Sequence, residues 1–370
     1  MFVPLSALEA KFAGNAKAHG AAYGAEDVRK MKKTFGMNPD EHFVVQDEWM
    51  ALVDSYRQEH PERHDEFMKR VRGEFPKDWR TIIPFKDALP KDPTPARKSA
   101  GLVCNPLAAE LNNMMVGSAD LSPSVNMIWK DKVDFQHPGL KTERGINGNY
   151  SGRYIHWGVR EHAMVSISNG LAAFRRGTFL PFTSSFFMFY LYAAPGVSMG
   201  ALQQLYTIHI GTHDSIGTGE DGPTHQPVAL AALYRAMPNF LYIRPCDSEK
   251  VAGAFITALE AKNTPSLLSL SRQAVRQYPQ YSSRDGVPKG AYVFIEDDKA
   301  DVTLIRVGAE MCLAVKTRDV LREKFDVRAR VVSFPCQRLF NQEPIEYKRR
   351  VLKYRPSIPR VIVEAYAVHG

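Results

Sequence analysis

The stretch that decides the fold runs from Leu205-Tyr206-Thr207-Ile208-His209-Ile210 into Gly211-Thr212-His213-Asp214-Ser215-Ile216-Gly217-Thr218-Gly219-Glu220-Asp221-Gly222-Pro223-Thr224-His225-Gln226-Pro227. A run of helical composition follows, from Pro227 to Met237, and then a second short apolar run, Phe240 to Arg244. Strand, Gly-rich loop, helix and strand in that order predict one β-α-β unit of a mostly parallel sheet covered on both faces. Open sheets of this kind bind ligands beyond the carboxyl ends of their strands. Four glycines, two histidines and three acids in the loop therefore suit a ligand loop. The residues alone leave open a polar Gly-rich connector with no chemistry.

The same alternation extends in both directions. Met115 to Ser118, Arg153 to Trp157, Thr178 to Phe182 and Ser266 to Leu270 read as further strands. His162 to Arg175 and Ser248 to Lys262 read as helices, the second with Asp247 placed to cap it. A second α/β unit begins near Gly290, with strands at Val302 to Val307, Val327 to Phe334 and Arg360 to Ala365, and a helix from Glu310 to Phe325. A parallel sheet of ordinary size asks for more crossover units than fit before Gly370, so this second domain is expected to be truncated. Upstream, Glu26 to Lys33 and the amphipathic run Asp47 to Phe75 read as helices. Pro76, Pro84, Pro90, Pro93 and Pro95 then mark an extended linker.

Composition bounds the function. The 370 residues are 44% hydrophobic and 24% charged, as expected of a folded globular chain. A net charge of +8 is spread along the chain and supports anionic small molecules over nucleic acid, for which no motif is present. Cys104, Cys246, Cys312 and Cys336 stand far apart, without a CxxC pair, and suggest neither a disulfide framework nor a zinc site. Phe186 to Val197 is nearly all apolar, and that character extends to Leu202. Pro195, Gly196 and Ser198 interrupt it, short of the roughly 20 residues a bilayer needs. It reads as a helix buried in a core or subunit interface, and no membrane span is expected.

Four runs together resemble the transketolase family of thiamine-diphosphate enzymes. They are the loop 211–227, Gly117-Ser118-Ala119-Asp120-Leu121-Ser122-Pro123-Ser124, Arg153-Tyr154-Ile155-His156-Trp157-Gly158-Val159-Arg160-Glu161-His162-Ala163-Met164 and Leu268-Ser269-Leu270-Ser271-Arg272-Gln273. Arg272 to Tyr278 and Phe334 to Arg350 are closer to the fungal dihydroxyacetone synthase branch. The resemblance implies a parallel-sheet pyrimidine-binding domain over residues 91–280 and a partial carboxyl-terminal α/β domain over 290–370. Residues 1–90 are then the tail of a diphosphate-binding domain with linker helices.

The resemblance also implies roles. Glu161 is the carboxyl group that activates the aminopyrimidine of thiamine diphosphate, with Phe179 and Phe182 packing on that ring and Asp120 and His19 as further cofactor contacts. Arg97, Ser124, His213 and Arg272 are the donor's phosphate-binding residues, and Asp221 and His225 meet its hydroxyl and carbonyl. Catalysis falls to Glu161, His225 and Asp221. At Ser185 the sequence departs from the tyrosine of many relatives, and Phe186 beside it is a candidate replacement ring. No Gly-Asp-Gly segment occurs, so Mg2+ (or Ca2+) and the diphosphate fall to a domain outside this sequence, and no metal ligands are expected here. The implied reaction moves a glycolaldehyde unit from a ketose phosphate such as xylulose 5-phosphate to formaldehyde. The alternatives are an ordinary transketolase using aldose phosphates, or a non-catalytic fragment that serves only as a subunit partner. The implied partners are sugar phosphates and a second copy in a homodimer, with a cytoplasmic or peroxisomal location.

Overall fold

The computed structural model describes residues 23–45, 47–141, 148–353 and 358–367. The chain divides into two compact units, Met1–Glu66 and Phe67–Gly370. The first unit holds α1 (Ala25–Thr34) and α2 (Asp47–Glu59), and α3 (Pro61–Val71) begins in it. None of these helices has a buried residue. The single amphipathic helix expected from Asp47 onward is broken at His60, because Pro61 starts a new helix where its missing N–H costs nothing.

In the second unit, β1 (Thr94–Pro95) leads into α4 (Ala96–Glu110), β2 (Met114–Ser118), α5 (Ser122–Val125), β3 (Asp134–Phe135), β4 (Gly148–Asn149) and β5 (Tyr154–His156). Then come α6 (Glu161–Phe174), β6 (Leu180–Phe186), α7 (Tyr190–Leu202), β7 (Ile208–Thr212) and α8 (Leu230–Ala236). Next are β8 (Leu241–Ile243), α9 (Ser248–Glu260), β9 (Ser266–Leu270) and β10 (Ala274–Val275). Eight of these strands form one sheet in the order β4-β3-β5-β2-β6-β7-β9-β8, parallel throughout. The expected class, a parallel α/β sheet, is what the chain adopts. Helix α9 starts where expected, with the Asp247 side chain accepting from the Lys250 N–H at 3.1 Å.

Two expectations fail here. The strand expected over Thr178 to Phe182 does not stop there: Pro181 is the second residue of β6, paired with Met115, and β6 runs on to Phe186. Proline is tolerated near a strand's start. The proline-rich stretch before β1 is also more than a linker. It contains 3-10 turns at Trp79–Ile82 and Lys86–Ala88, and Ile83 and Leu89 are buried in the main core.

A second sheet contains β11 (Tyr292–Ile295) and β12 (Val302–Arg306), followed by α10 (Met311–Phe325), β13 (Ala329–Ser333), α11 (Gln337–Gln342), α12 (Ile345–Leu352) and β14 (Arg360–Ile362). Its order is β11-β13-β12-β14. β12 is parallel to β13 and β14, but β11 is antiparallel to β13, so this sheet is mixed. Among the described residues no helix is long and apolar enough to cross a membrane.

Candidate active site at the carboxyl edge of the large sheet

Because all eight strands point the same way, their carboxyl ends share one edge, and the loops after β2, β6, β7 and β9 meet there. Glu161 is the first residue of α6 and only 6% exposed. Ser185, the penultimate residue of β6, donates from Oγ to Glu161 Oε1 at 3.3 Å. Phe186, the next residue, stacks on the His213 imidazole with ring centroids 3.7 Å apart. The acid and the histidine thus reach the same strand end through neighbouring residues.

His213 follows β7 directly and has a φ of +59°, a left-handed conformation that non-glycine residues seldom adopt. Its Nδ1 lies 2.9 Å from Thr212 Oγ1, and its Nε2 lies 3.6 Å from Asp221 Oδ2. Burial, and then the charges of Arg97 and Arg272, push the imidazole pKa down to about 3, so the ring is neutral at physiological pH. Arg272 Nε approaches Asp221 Oδ2 at 3.3 Å, and its fork also pairs with Glu220. The loop also runs against Gln273, whose side-chain amide would lie 2.7 Å from a Cβ at Gly217.

Arg97 arrives from another element. The N–H of Ala96 bonds Ser271 Oγ and that of Arg97 bonds the Ser271 carbonyl, which ties the start of α4 to the exit of β9. Arg97 then donates to the Ser124 carbonyl at 2.6 Å, while its buried Nε has no hydrogen-bond partner. Burial and the neighbouring Arg272 lower its pKa. Two crowded guanidiniums beside a neutral imidazole make a place where an anion relieves like-charge repulsion. His225 stands edge-on to Phe189 and Phe186, at 5.1 and 5.8 Å, with Nδ1 2.8 Å from Thr224 Oγ1.

The structure therefore gathers Glu161, Arg97, Ser124, His213, Asp221, His225 and Arg272 at one edge, although Ser124 meets Arg97 through its backbone carbonyl. Asp120 lies at the same edge after β2, with φ +62°, but no described contact joins it to the cluster. His19 lies outside the described residues. Phe179 and Phe182 do not line this site. Phe182 is buried in the core and stacks on Phe255 of α9, and Phe179 precedes β6 and packs near Phe174. Both sit toward the amino end of a strand that continues to Phe186. The rings at the site are Phe186 and Phe189, which stack on each other at 5.7 Å. Among the described residues no cluster of three or more metal-ligating side chains occurs.

The family model for the transketolase pyrimidine binding domain matches residues 93–277, and that for the transketolase-like C-terminal domain matches 290–370. The model for the transketolase thiamine diphosphate binding domain matches residues 7–76. Dihydroxyacetone synthase of Candida boidinii is 47% identical over 98% of this chain and 53% of its own length. Transketolase 1 of Saccharomyces cerevisiae is 38% identical over 96% of this chain and 53% of its own. The solved structure of Pichia stipitis transketolase in complex with sedoheptulose 7-phosphate superposes with a TM-score of 0.80 at 36% identity, over 97% of this chain and 54% of that one. The chain spans about half the length of these relatives.

Proposed function

Since the chain belongs to the transketolase family, we propose that it carries the pyrimidine-activating and donor-binding half of an enzyme that moves a two-carbon ketol unit from a ketose phosphate to an aldehyde. The observation that carries this reading is the end of β6, where Ser185 bonds the buried Glu161 and Phe186 stacks on His213. A buried acid and an anion-attracting cluster on adjacent residues are what such a reaction asks of a protein.

Thiamine diphosphate, when bound, supplies the electron sink for breaking and remaking a carbon–carbon bond. The residues fit its pyrimidine half. Glu161 has one oxygen engaged by Ser185, and among the described residues no hydrogen bond reaches the other, leaving it free to hold a proton at a ring nitrogen. Phe186 and Phe189 supply the apolar wall that keeps water from that carboxyl, with Asp120 as a further cofactor contact. Arg97, Arg272 and Ser124 bind the donor's phosphate, with neutral His213 as a hydrogen-bonding partner. Asp221 and His225 meet the donor's hydroxyl and carbonyl. In this reading residues 91–280 form the pyrimidine-binding domain, 290–370 part of a carboxyl-terminal domain, and 1–90 the tail and linker of a diphosphate-binding domain. Mg2+ or Ca2+ is held with the diphosphate by residues outside this sequence. The enzyme works as a homodimer in the cytoplasm or the peroxisome.

The acceptor we propose is formaldehyde, supported by 47% identity to a dihydroxyacetone synthase against 38% to a transketolase over nearly the same span. Formaldehyde offers neither hydroxyls nor a phosphate, so its use rests on a small, open reacting pocket. The test fuses this chain to the part of a dihydroxyacetone synthase that it does not span and assays transfer from xylulose 5-phosphate. Glu161→Gln should lower the rate by several orders of magnitude, each tenfold being about 1.4 kcal/mol of barrier. Unchanged transfer in that variant would remove Glu161 from the mechanism. A specificity constant tenfold higher for ribose 5-phosphate than for formaldehyde would make the acceptor that of an ordinary transketolase.

A further inference from the structure

The residue that follows His213 points away from chemistry and into a buried ionic hub. Asp214 is 1% exposed, and its Oδ2 accepts from Arg244 Nε at 2.7 Å. Arg244, whose side chain is wholly buried, lies just past the end of β8. Its other nitrogens reach the second sheet: they pair with Glu310, with Glu364 Oε1 at 3.2 Å and with the Val307 carbonyl at 3.4 Å. Tyr366 lies 4.6 Å from the guanidinium, and its hydroxyl donates to the Asp214 carbonyl. Arg235 closes the hub with a forked pair to Glu364 at 2.6 and 2.7 Å. Gly308 leaves room for it, since its φ is +57° and a Cβ there would lie 2.6 Å from Arg244 Nε.

We propose that Arg244 is a positioning residue that couples the carboxyl-terminal sheet to the loop 213–226. Held through both its side chain and its carbonyl, Asp214 fixes the exit of β7, and with it the left-handed conformation that lays the His213 ring on Phe186. Glu310 and Glu364 set where the guanidinium sits. A shift of the second sheet is therefore felt at His213, although neither glutamate touches the loop in any described contact. The coupling bears on catalysis only if the loop binds substrate as proposed above, but it is tested on conformation alone. A failed ketol-transfer assay and a failed coupling test are thus separate results.

The test uses the full chain and two readouts: amide hydrogen exchange of residues 213–226, and the His213 Hε1 resonance, which the Phe186 ring current displaces. Glu310→Gln weakens the hub from the side remote from the loop, and Gly308→Ala pushes on Arg244 directly. Both should move the His213 resonance toward its unstacked position and speed exchange in 213–226 at least tenfold. Leu304→Ala, a change in a core cluster of the same second sheet that contains no residue of the hub, should lower the melting temperature without moving either readout. The proposal is overturned if Glu310→Gln leaves the loop's exchange and the resonance unchanged, or if Leu304→Ala moves them equally. Arg244→Lys, keeping the charge but losing the planar fork, should give an intermediate shift.

Discussion

Lowering the pH from 7 to 5 should weaken the eight-stranded unit through His209, and the size of the effect follows from its surroundings. His209 is the second residue of β7, fully buried, with Nδ1 2.7 Å from Thr183 Oγ1 and Nε2 3.4 Å from Thr207 Oγ1. Both partners are hydroxyls, and burial alone pushes the imidazole pKa down to about 3. An unfolded histidine titrates near 6.5, so between pH 3 and 6.5 the unfolded chain binds a proton that the folded chain refuses. The stabilisation is complete above pH 6.5 and is lost as the pH falls through that window. Integrated from pH 7 to pH 5, one such histidine contributes about 2 kcal/mol. Glu310 works in the opposite sense, because burial raises its carboxyl pKa and favours the folded state at lower pH. Comparing His209→Gln with the parent cancels that term along with every other group. Denaturant unfolding followed by tryptophan fluorescence at the two pH values gives the double difference. The variant should lose about 2 kcal/mol less than the parent on going to pH 5. Equal losses would show that the native state protonates His209 in place, and the reasoning would fail.

Two further outcomes separate roles that the sequence does not. Phe182→Ala should cost about 3–5 kcal/mol as a core cavity and leave the His213 pKa low. Phe186→Ala should let that pKa rise toward 6.5, because it opens the stacked face to water; an NMR titration of the imidazole distinguishes them, and a low value in Phe186→Ala would refute the assignment of that ring to the site. Asp247→Ala should cost about 1–2 kcal/mol by removing the cap of α9 and the acceptor of the Ser282 hydroxyl, read as a shift in unfolding midpoint.

Legibility in the sequence follows locality. Ser266 to Leu270 is readable to the residue because Leu267, Leu268 and Leu270 stand between Pro265 and the polar Ser271-Arg272, and nothing outside that stretch decides its ends. The strand expected from Leu205 begins three residues later, at Ile208, for a tertiary reason. Leu205 is as apolar as a strand residue, yet its N–H bonds back to the Gly200 carbonyl and closes α7. Phe186 misled in the same way: its run of aromatic neighbours reads as the start of a helix, whereas register with Thr212 makes it the end of β6. Strand β11 has no local signature that separates an antiparallel edge from a parallel strand, since only its pairing with β13 sets the direction.

The site was legible wherever a motif kept its residues together, and illegible where chemistry depends on what packs behind it. Phe182 and Phe186 are four residues apart on one strand and differ only in what stands opposite, Phe255 in the core or His213 at the edge. His213 stands among the expected phosphate-binding residues, but burial and the two arginines keep it neutral. The positive charge available at that edge is therefore that of Arg97 and Arg272, which come from α4 and the exit of β9, the first tied to the second through Ser271. Arg244, Asp214, Glu310 and Glu364 carry no sequence sign of burial at all, because each is a charged residue whose charged partners lie 30 to 129 positions away. A residue of that kind becomes visible only when the two sheets are placed together, which is why the link from the second sheet to the loop emerges from the fold and not from the motif.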